Sequence, residues 1–189
     1  LKGNAQILEK LVAKDSPADA KAVGKANRVV SEAKRLEKLV NDLLDFARRD
    51  ELRRDTCSPA ALLAESAEGL SAKLTLDSAG APETWSLDQD RMRQVLSNLL
   101  QNASHASEQV EAQVRVERGW LLFSIRDHGA GIDEAQQSQL FEPFHTKKTQ
   151  GTGLGLAVAK RLVELHGGSI SASNAQGGGA EFRVRIPPN

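Results

Sequence analysis

Three glycines at alternate positions, Gly151, Gly153 and Gly155, stand where an apolar repeat of helical spacing begins, and they constrain this chain more than any other feature. The repeat steps by three and four through Leu154, Ala157, Val158, Leu162 and Leu165. The glycines therefore lie at a helix start. A helix start without side chains presents backbone N–H groups and the positive end of the helix dipole, which suit a phosphate chain. The pattern favours nucleotide binding, and a glycine-rich helix start without a ligand is the alternative.

Two familiar glycine motifs do not match this stretch. The dinucleotide fingerprint needs a glycine where Leu156 stands. The P-loop needs Gly-Lys-Ser/Thr, whereas Gly155 is followed by Leu156. Other segments must therefore decide whether a nucleotide binds.

Composition limits the class of protein. A chain of 189 residues, 40% of them hydrophobic, is long enough for one sizeable core or two small ones. Its 25 acidic and 25 basic residues balance, so we expect no nucleic acid or anionic membrane as main partner. The apolar runs are far shorter than a membrane span, and no signal peptide opens the sequence. Cys57, the single cysteine, rules out an internal disulfide and fits a reducing cytosol.

Residues 1–49 predict a helical hairpin. Apolar spacing of four, three and four covers 1–13, and Pro17 suits the first turn of a second helix over about 18–49. That second helix has a heptad seam of Val29, Ala33, Leu36, Val40, Leu43 and Ala47. Two helices cannot bury so broad a face, so we expect a homodimer through a four-helix bundle. A helical pair packed on the downstream domain is the alternative.

The rest of the chain predicts an α+β domain. Charges crowd over residues 50–57, which we interpret as a linker, and residues 58–189 predict a two-layer α/β sandwich with a mixed sheet under three helices. Asp88 is expected to cap the second of these helices. The helices are expected at 59–70, at 89–107 and from 154, and the strands at 73–76, near 85, and at 112–118, 120–126, 169–173 and 180–186.

Two polar clusters are candidates for chemistry. Asn98 and Asn102 lie four apart on the predicted helix 89–107, and their amide carbonyls can complete a Mg²⁺ site beside phosphate oxygens; a solvated polar face is the alternative. Asp127 follows a predicted strand and precedes Gly129 and Gly131. A carboxylate there can accept a hydrogen bond from an exocyclic amine while the glycines admit a flat ring, although this pattern is also a common turn.

Five segments resemble, in order and spacing, the N, G1, F, G2 and G3 boxes of sensor histidine kinases. They are Asn98-Leu-Leu-Gln-Asn102-Ala, Asp127-x-Gly129-x-Gly131, Phe141-Glu-Pro-Phe144, Gly151-x-Gly153-x-Gly155 and Gly177-Gly-Gly-Ala-Glu-Phe182. The resemblance covers essentially all of residues 58–187 and implies the ATP-binding fold shared with gyrase, Hsp90-type chaperones and MutL. The hairpin before it, with RLEKLVNDLLDFAR at 35–48, resembles the dimerisation and phosphotransfer domain. The sequence FEPFHTKK, at residues 141–148, looks closest to the nitrogen-regulation and metal-responsive branch of this family.

The resemblance implies a role for each candidate residue. Asp127 would bind the adenine amine, Asn102 would ligate Mg²⁺, and Asn98 would order the metal and phosphates where gyrase-like ATPases have a catalytic glutamate. Gly151, Gly153 and Gly155 would receive the phosphates, with Lys147 or Lys148 as charge partners, and Phe141 and Phe144 would anchor the lid hinge. Asn98 and Asn102 are thus the catalytic candidates, and the further nucleotide-binding set is His105 (where many relatives carry Lys or Arg), Asp127, Gly129, Gly131, Ile132, Phe141, Phe144, Lys147, Lys148, Gly151, Thr152, Gly153, Leu154, Gly155 and Leu156.

The implied function is phosphoryl transfer from Mg-ATP to a histidine and then to an aspartate of a response-regulator receiver domain. The chain would be a soluble, cytoplasmic part of a membrane-associated bacterial sensor. A non-catalytic dimeric ATP-binding module and a gyrase- or chaperone-like ATPase are the rival interpretations, and Asn98 in place of glutamate disfavours the ATPase.

One departure from the family concerns the phosphate acceptor. The family's acceptor histidine is followed by Glu or Asp and soon by Asn-Pro or a similar pair, and none of His105, His128, His145 and His166 has that context. We interpret His166 as a helix C-cap and His128 and His145 as loop residues. Because the sequence starts at Leu1 without Met, inside a helical pattern, we expect a piece of a longer protein whose acceptor lies upstream.

Overall fold

The computed structural model of the chain describes residues 17–47, 51–133, 137–145 and 153–188. Contacts divide the chain into two compact units. Helix α1 (Pro17–Ala47) belongs to the first unit, and the other described residues belong to the second. The predicted helix over 1–13 lies outside the described residues, so the helical hairpin and its four-helix bundle are not shown and stay predictions.

Helix α1 matches the predicted second helix of the hairpin. Its seam leaves large apolar side chains between 45% and 66% exposed: Val29, Leu36, Val40, Leu43 and Leu44. An apolar stripe of this length on one helix face is typical of a surface that packs against other helices. Among the residues that the structure describes, no helix has the length and apolarity needed to cross a lipid bilayer.

The second unit is built on a mixed sheet. Its described elements, in chain order, are β1 (Asp55–Cys57), α2 (Pro59–Ser66), β2 (Lys73–Gly80), β3 (Trp85–Leu87), α3 (Gln89–Ala106), β4 (Gln109–Glu117), β5 (Trp120–Asp127), α4 (Gly155–Leu165), β6 (Ser169–Asn174) and β7 (Ala180–Ile186). Within the described residues, the sheet order is β2-β4-β5-β7-β6, with β2 parallel to β4 and every other pair antiparallel. Three helices pack against this sheet, which confirms the predicted mixed sheet under three helices.

Alternation along the strands separates the core from the open face of the sheet. Phe123 of β5 pairs with Val184 of β7, and both are fully buried. Their chain neighbours Ser124 and Arg183 form the next pair and point to the other face. Each large apolar side chain that is buried in this way stabilises the fold by about 1.5–3 kcal/mol. The core therefore lies between the sheet and the helices.

The stretch that we predict as a linker, residues 50–57, ends in a short strand. Residues 55–57 form strand β1, which pairs antiparallel with β3 in a separate two-stranded sheet. Cys57 lies opposite Trp85 in this pair. A strand of three residues is too short to show alternation, and its partner is about thirty residues away, so local pattern could not reveal it.

Candidate nucleotide-binding site

Helix α3 carries the candidate asparagines on one side and its apolar face on the other. Asp88 caps the helix, as predicted, because its Oδ1 accepts a hydrogen bond from the N–H of Arg91 at 3.1 Å. Asn98 and Asn102 are half-buried, whereas His105 near the end of the helix is exposed. The face toward the core is fully buried and consists of Met92, Val95, Leu96, Leu99, Leu100 and Ala103. This burial fixes the direction in which the two asparagines project.

Asn98 ties the middle of α3 to the start of α4. Its Nδ2 donates a hydrogen bond to the backbone oxygen of Gly155 at 3.1 Å. A Cβ on Gly155 would lie 3.6 Å from the Asn98 amide carbon, so the two helices are in close contact at this point. Asn98 therefore faces the glycine-led helix start that the sequence pattern predicts.

The start of α4 has backbone N–H groups that no described side chain caps. Leu154, at the N-cap position, is buried, and Gly155 and Leu156 after it are half-buried. The N–H groups of the first turn have no acceptor within the helix. Together with the helix dipole they form a local positive end beside Asn98.

Asp127 ends strand β5 as a buried carboxylate with a fixed orientation. Its Oδ1 accepts hydrogen bonds from the backbone N–H of Gly129 at 2.9 Å and of Ala180 at 3.1 Å. Neither bond uses Oδ2. The carboxylate is therefore held in place through one oxygen, while the other remains outside these two contacts.

The two glycines after Asp127 are required by close backbone approach. A Cβ on Gly129 would lie 2.6 Å from the Ala106 backbone oxygen at the end of α3. Gly131 has a φ of 79°, and a Cβ on it would lie 2.6 Å from Asn174 Oδ1. Both distances exclude a side chain, so this loop runs unusually close to α3 and to β6. Ile132, the next residue, is half-buried.

A backbone hydrogen bond connects the predicted lid hinge to the residues just before α4. The N–H of Phe144 donates to the backbone oxygen of Gly153 at 3.0 Å, and both residues have positive φ, 64° and 70°. The Phe144 ring is 62% exposed, whereas Phe141 is half-buried. Phe144 therefore meets the start of α4 through its main chain rather than through its ring. Four predicted site residues lie outside the described residues: Lys147, Lys148, Gly151 and Thr152.

A polar cluster around the buried His166 joins the start of α3 to the end of α4. His166 is the C-cap of α4, as predicted; its Nδ1 lies 2.7 Å from Leu162 O, and its Nε2 accepts the N–H of Asp88 at 3.2 Å. These partners place the ring proton on Nδ1. Burial lowers the pKa of His166, against the opposing hydrogen bond to Leu162. Arg54 Nη2 donates to the His166 backbone oxygen at 2.9 Å, and Arg53 N–H donates to Asp88 Oδ2 at 3.0 Å.

Two contributors to the site were missed by sequence reasoning. Asn174 bonds to the backbone of Ile132, and the N–H of Ala180 bonds to Asp127. Both are contacts across more than forty residues, and a backbone N–H leaves no trace in the side-chain pattern. An asparagine at the end of a strand, just before a glycine-rich turn, was the only available signal.

Candidate residues from separate segments form two groups, and each group lies against α3. Asn98 contacts Gly155 and Asp127 contacts Gly129, while Asn174 contacts Ile132. The site thus offers a fixed carboxylate at one end, and amide groups with a helix N-terminus at the other. This is the chemistry of a site for an amine-bearing ring joined to a phosphate chain.

Comparison with known proteins agrees with this geometry. A model of the family described as histidine kinase-, DNA gyrase B-, and HSP90-like ATPase matches residues 87–189. The chain is 35% identical to the sensor histidine kinase ZraS of Klebsiella oxytoca, over 96% of this chain and 42% of that relative. It is 33% identical to the alginate biosynthesis sensor protein KinB of Pseudomonas aeruginosa, over 92% of this chain and 32% of that relative. The chain thus spans less than half of the length of either relative.

Solved structures show the same similarity. The structure of full-length ShkA in complex with AMPPNP matches with a TM-score of 0.79 and 29% identity, over 98% of this chain and 42% of that one. The nucleotide-free catalytic domain of histidine kinase ThkA matches with a TM-score of 0.66 and 27% identity, over 72% of this chain and 97% of that one. The matched family span contains Asn98, Asp127 and the start of α4. The chain therefore belongs to the histidine kinase-, DNA gyrase B- and HSP90-like ATPase family and carries the ATP-binding domain of a sensor histidine kinase.

Proposed function

We propose that this chain is the kinase core of a two-component sensor and binds Mg-ATP between β5, α3 and the start of α4. The observation that carries the proposal is Asp127, a buried carboxylate held through Oδ1 by two backbone N–H groups. Oδ2 is then the atom that accepts a hydrogen bond from the adenine amine. Guanine presents a carbonyl oxygen at the corresponding position, which a carboxylate repels, so the proposal includes selection of adenine over guanine.

The phosphate end of the proposed site fits a hydrated Mg²⁺ ion. Asn102 lies one helical turn beyond Asn98, on the side of α3 that meets Gly155, and amide oxygens are hard ligands that Mg²⁺ accepts. We assign Asn102 as the metal ligand and Asn98 as the residue that orders the helix start beside the phosphates. When bound, Mg²⁺ neutralises charge on the phosphate chain.

The proposed transfer in the full-length protein runs from ATP to a histidine and then to an aspartate of a response-regulator receiver domain. The similarity to ZraS and KinB, both sensor proteins, supports it. Asn98 stands where gyrase-like ATPases have a glutamate, and its neutral amide is no base for water. Transfer to a protein side chain is therefore favoured over hydrolysis. The exposed stripe of α1 supports dimerisation, and we place the core on the cytoplasmic side of a membrane-associated sensor.

Replacement of Asp127 tests the nucleotide site directly. Asp127→Asn exchanges a charged acceptor for a neutral amide, and the loss of a charge-assisted hydrogen bond is expected to weaken Mg-ATP binding by about tenfold to a hundredfold. Isothermal titration calorimetry with ATP and with GTP measures the effect. The matched control is Asp77→Asn, because Asp77 is an exposed carboxylate on β2 whose partners are Ala79 and Gln113. Equal binding of ATP and GTP by the unaltered chain would contradict adenine selection.

A further inference from the structure

The loop between Asp127 and Ile132 is held at both ends by one cross-strand pair of the β6–β7 hairpin. Asn174, the last residue of β6, lies opposite Ala180, the first residue of β7. The backbone N–H of Ala180 donates to Asp127, and the side chain of Asn174 bonds to Ile132. The two ends of the proposed adenine loop are therefore fixed against the same point of the sheet.

The contact between Asn174 and Ile132 uses both halves of the side-chain amide. Asn174 Oδ1 accepts the N–H of Ile132 at 2.6 Å, and Nδ2 donates to the backbone oxygen of Ile132 at 2.9 Å. The Asn174 side-chain amide thus makes the donor and acceptor pair with Ile132 that the backbone of a neighbouring strand would otherwise make. Because Gly131 has no Cβ, its backbone passes directly over Asn174 Oδ1.

The hairpin that carries Asn174 is itself braced. Ala175 N–H donates to Gly179 O at 2.9 Å, and Gly178 N–H donates to Ala175 O at 3.0 Å, which closes the turn. Arg126, the residue before Asp127, donates through Nη2 to the backbone oxygen of Gln176 at 3.0 Å. The turn is thus a firm support against which the loop can be positioned.

We propose that Asn174 is a positioning residue for nucleotide binding, which pre-forms the adenine side of the pocket by fixing Ile132, without touching the nucleotide itself. This inference rests on the proposed binding of ATP. When a loop occupies its binding geometry for only a fraction of the time, the apparent dissociation constant rises by the reciprocal of that fraction. Without the two Asn174 hydrogen bonds, the loop is still fixed at its Asp127 end, but Ile132 at the other end is no longer fixed by Asn174.

The test uses the whole chain and two replacements of Asn174. Asn174→Ala removes both hydrogen bonds, and Asn174→Asp removes the donor and sets a carboxylate against the Ile132 carbonyl. Each is expected to weaken Mg-ATP binding by about tenfold in calorimetry, since one net hydrogen bond corresponds to roughly that factor. Asn174 is exposed on an edge strand, so both variants are expected to melt within a few degrees of the unaltered chain.

The matched control is Gln113→Ala, which removes a half-buried amide that donates to Asp77 Oδ2 at 2.6 Å on the same sheet. It should bind Mg-ATP like the unaltered chain. Hydrogen exchange gives a local readout: the Ile132 amide should lose protection in Asn174→Ala and regain it when Mg-ATP saturates the site. If the unaltered chain binds ATP and both Asn174 variants bind within twofold of it, the positioning role is wrong. If the unaltered chain binds no ATP, the proposed function fails and the inference fails with it.

Discussion

A single side chain, His166, reports how burial controls protonation in this domain. Its Nδ1 faces Leu162 O, which only a donor can satisfy, and its Nε2 receives the Asp88 N–H, which only an acceptor can satisfy. The ring meets both demands only when it is neutral. A second proton on Nε2 would face the Asp88 N–H, so two donors would be set against each other. The surroundings of His166 thus select one protonation state and one tautomer.

Stability should consequently fall on mild acidification. Burial lowers the pKa of folded His166 below the ordinary value of 6.5, so between the two values the unfolded chain binds more protons. The stability that neutral His166 contributes is fully present above pH 6.5 and is lost as pH falls toward the folded-state pKa. The slope from this one group is at most about 1.4 kcal/mol per pH unit. Urea unfolding between pH 5 and 8, followed by fluorescence of Trp85 and Trp120, measures it.

A pair of histidine variants isolates this effect. His166→Gln is expected to lower the free energy of unfolding at pH 7 and to flatten its dependence on pH below 6.5. His105→Gln, at an exposed position of α3, should keep the slope of the unaltered chain. An unchanged slope in His166→Gln would show that other groups cause the acid sensitivity.

At the scale of elements, helix α1 has an exposed apolar stripe, which we expect to pack against another helix. Replacing Leu36 and Leu43 by Glu puts charges into the exposed apolar stripe, so we expect a dimer of the unaltered chain to become a monomer. Mg-ATP binding should persist, because Asn98, Asp127 and Gly155 of the proposed site lie in the other unit. Analytical ultracentrifugation over a range of concentrations measures the change.

Helical spacing supplies the control for this prediction. Asn27 and Ser31 are exposed and lie on the side of α1 opposite the seam, so Asn27→Glu with Ser31→Glu adds the same charge without touching it. That variant should remain dimeric. A monomeric unaltered chain at high micromolar concentration would refute a role of the stripe in self-association.

The sequence predicted the elements whose residue pattern can be recognised within the element itself. The amphipathic period located α1, α3 and α4, and Asp88 was recognisable as a cap from its position before α3. Strand β1 and the bond between Asn174 and Ile132 depend on partners about thirty to forty residues away, and no periodicity encodes such contacts. The same reason explains the site: Asp127 was visible from the strand before it, whereas its Ala180 support was not.

At the scale of the whole molecule, the proposed site is framed by helices α3 and α4, which are connected by hydrogen bonds at two points. The Asn98 side chain bonds to Gly155 at the start of α4, and Asp88 bonds to His166 at its end. The helices are thus antiparallel and locked at both ends of their contact. Arg53 and Arg54, which precede β1, join the lock at the His166 end. Residues 53 and 54 are therefore connected to the two helices that frame the proposed nucleotide site.

The proposed kinase function can be tested in two steps, nucleotide binding and phosphoryl transfer. None of the four histidines has the sequence context of the family's acceptor, so we expect the chain to bind Mg-ATP and to gain no acid-labile, base-stable phosphate from γ-labelled ATP. A supplied phosphotransfer domain that carries the acceptor histidine motif of sensor histidine kinases should become labelled. Asn102→Ala should abolish that labelling through loss of the metal ligand.

Two results would contradict this separation. Stoichiometric phosphohistidine on the chain itself would make one of its own histidines the acceptor. Labelling of the supplied domain at an undiminished rate by Asn102→Ala would remove Asn102 from the metal site. Gln113→Ala serves again as the control, because it alters a half-buried amide on the same sheet, outside the proposed site, and should leave labelling unchanged.

The hydrogen bond between Phe144 and Gly153 has a consequence for how this architecture can diversify. It joins the backbone on either side of residues 146–152, so Phe144 and Gly153 are held next to each other independently of the number of residues between them. Each doubling of a loop between fixed ends costs only roughly 0.6 kcal/mol. A change in the number of residues between Phe144 and Gly153 should therefore leave the sheet and helices of this domain intact.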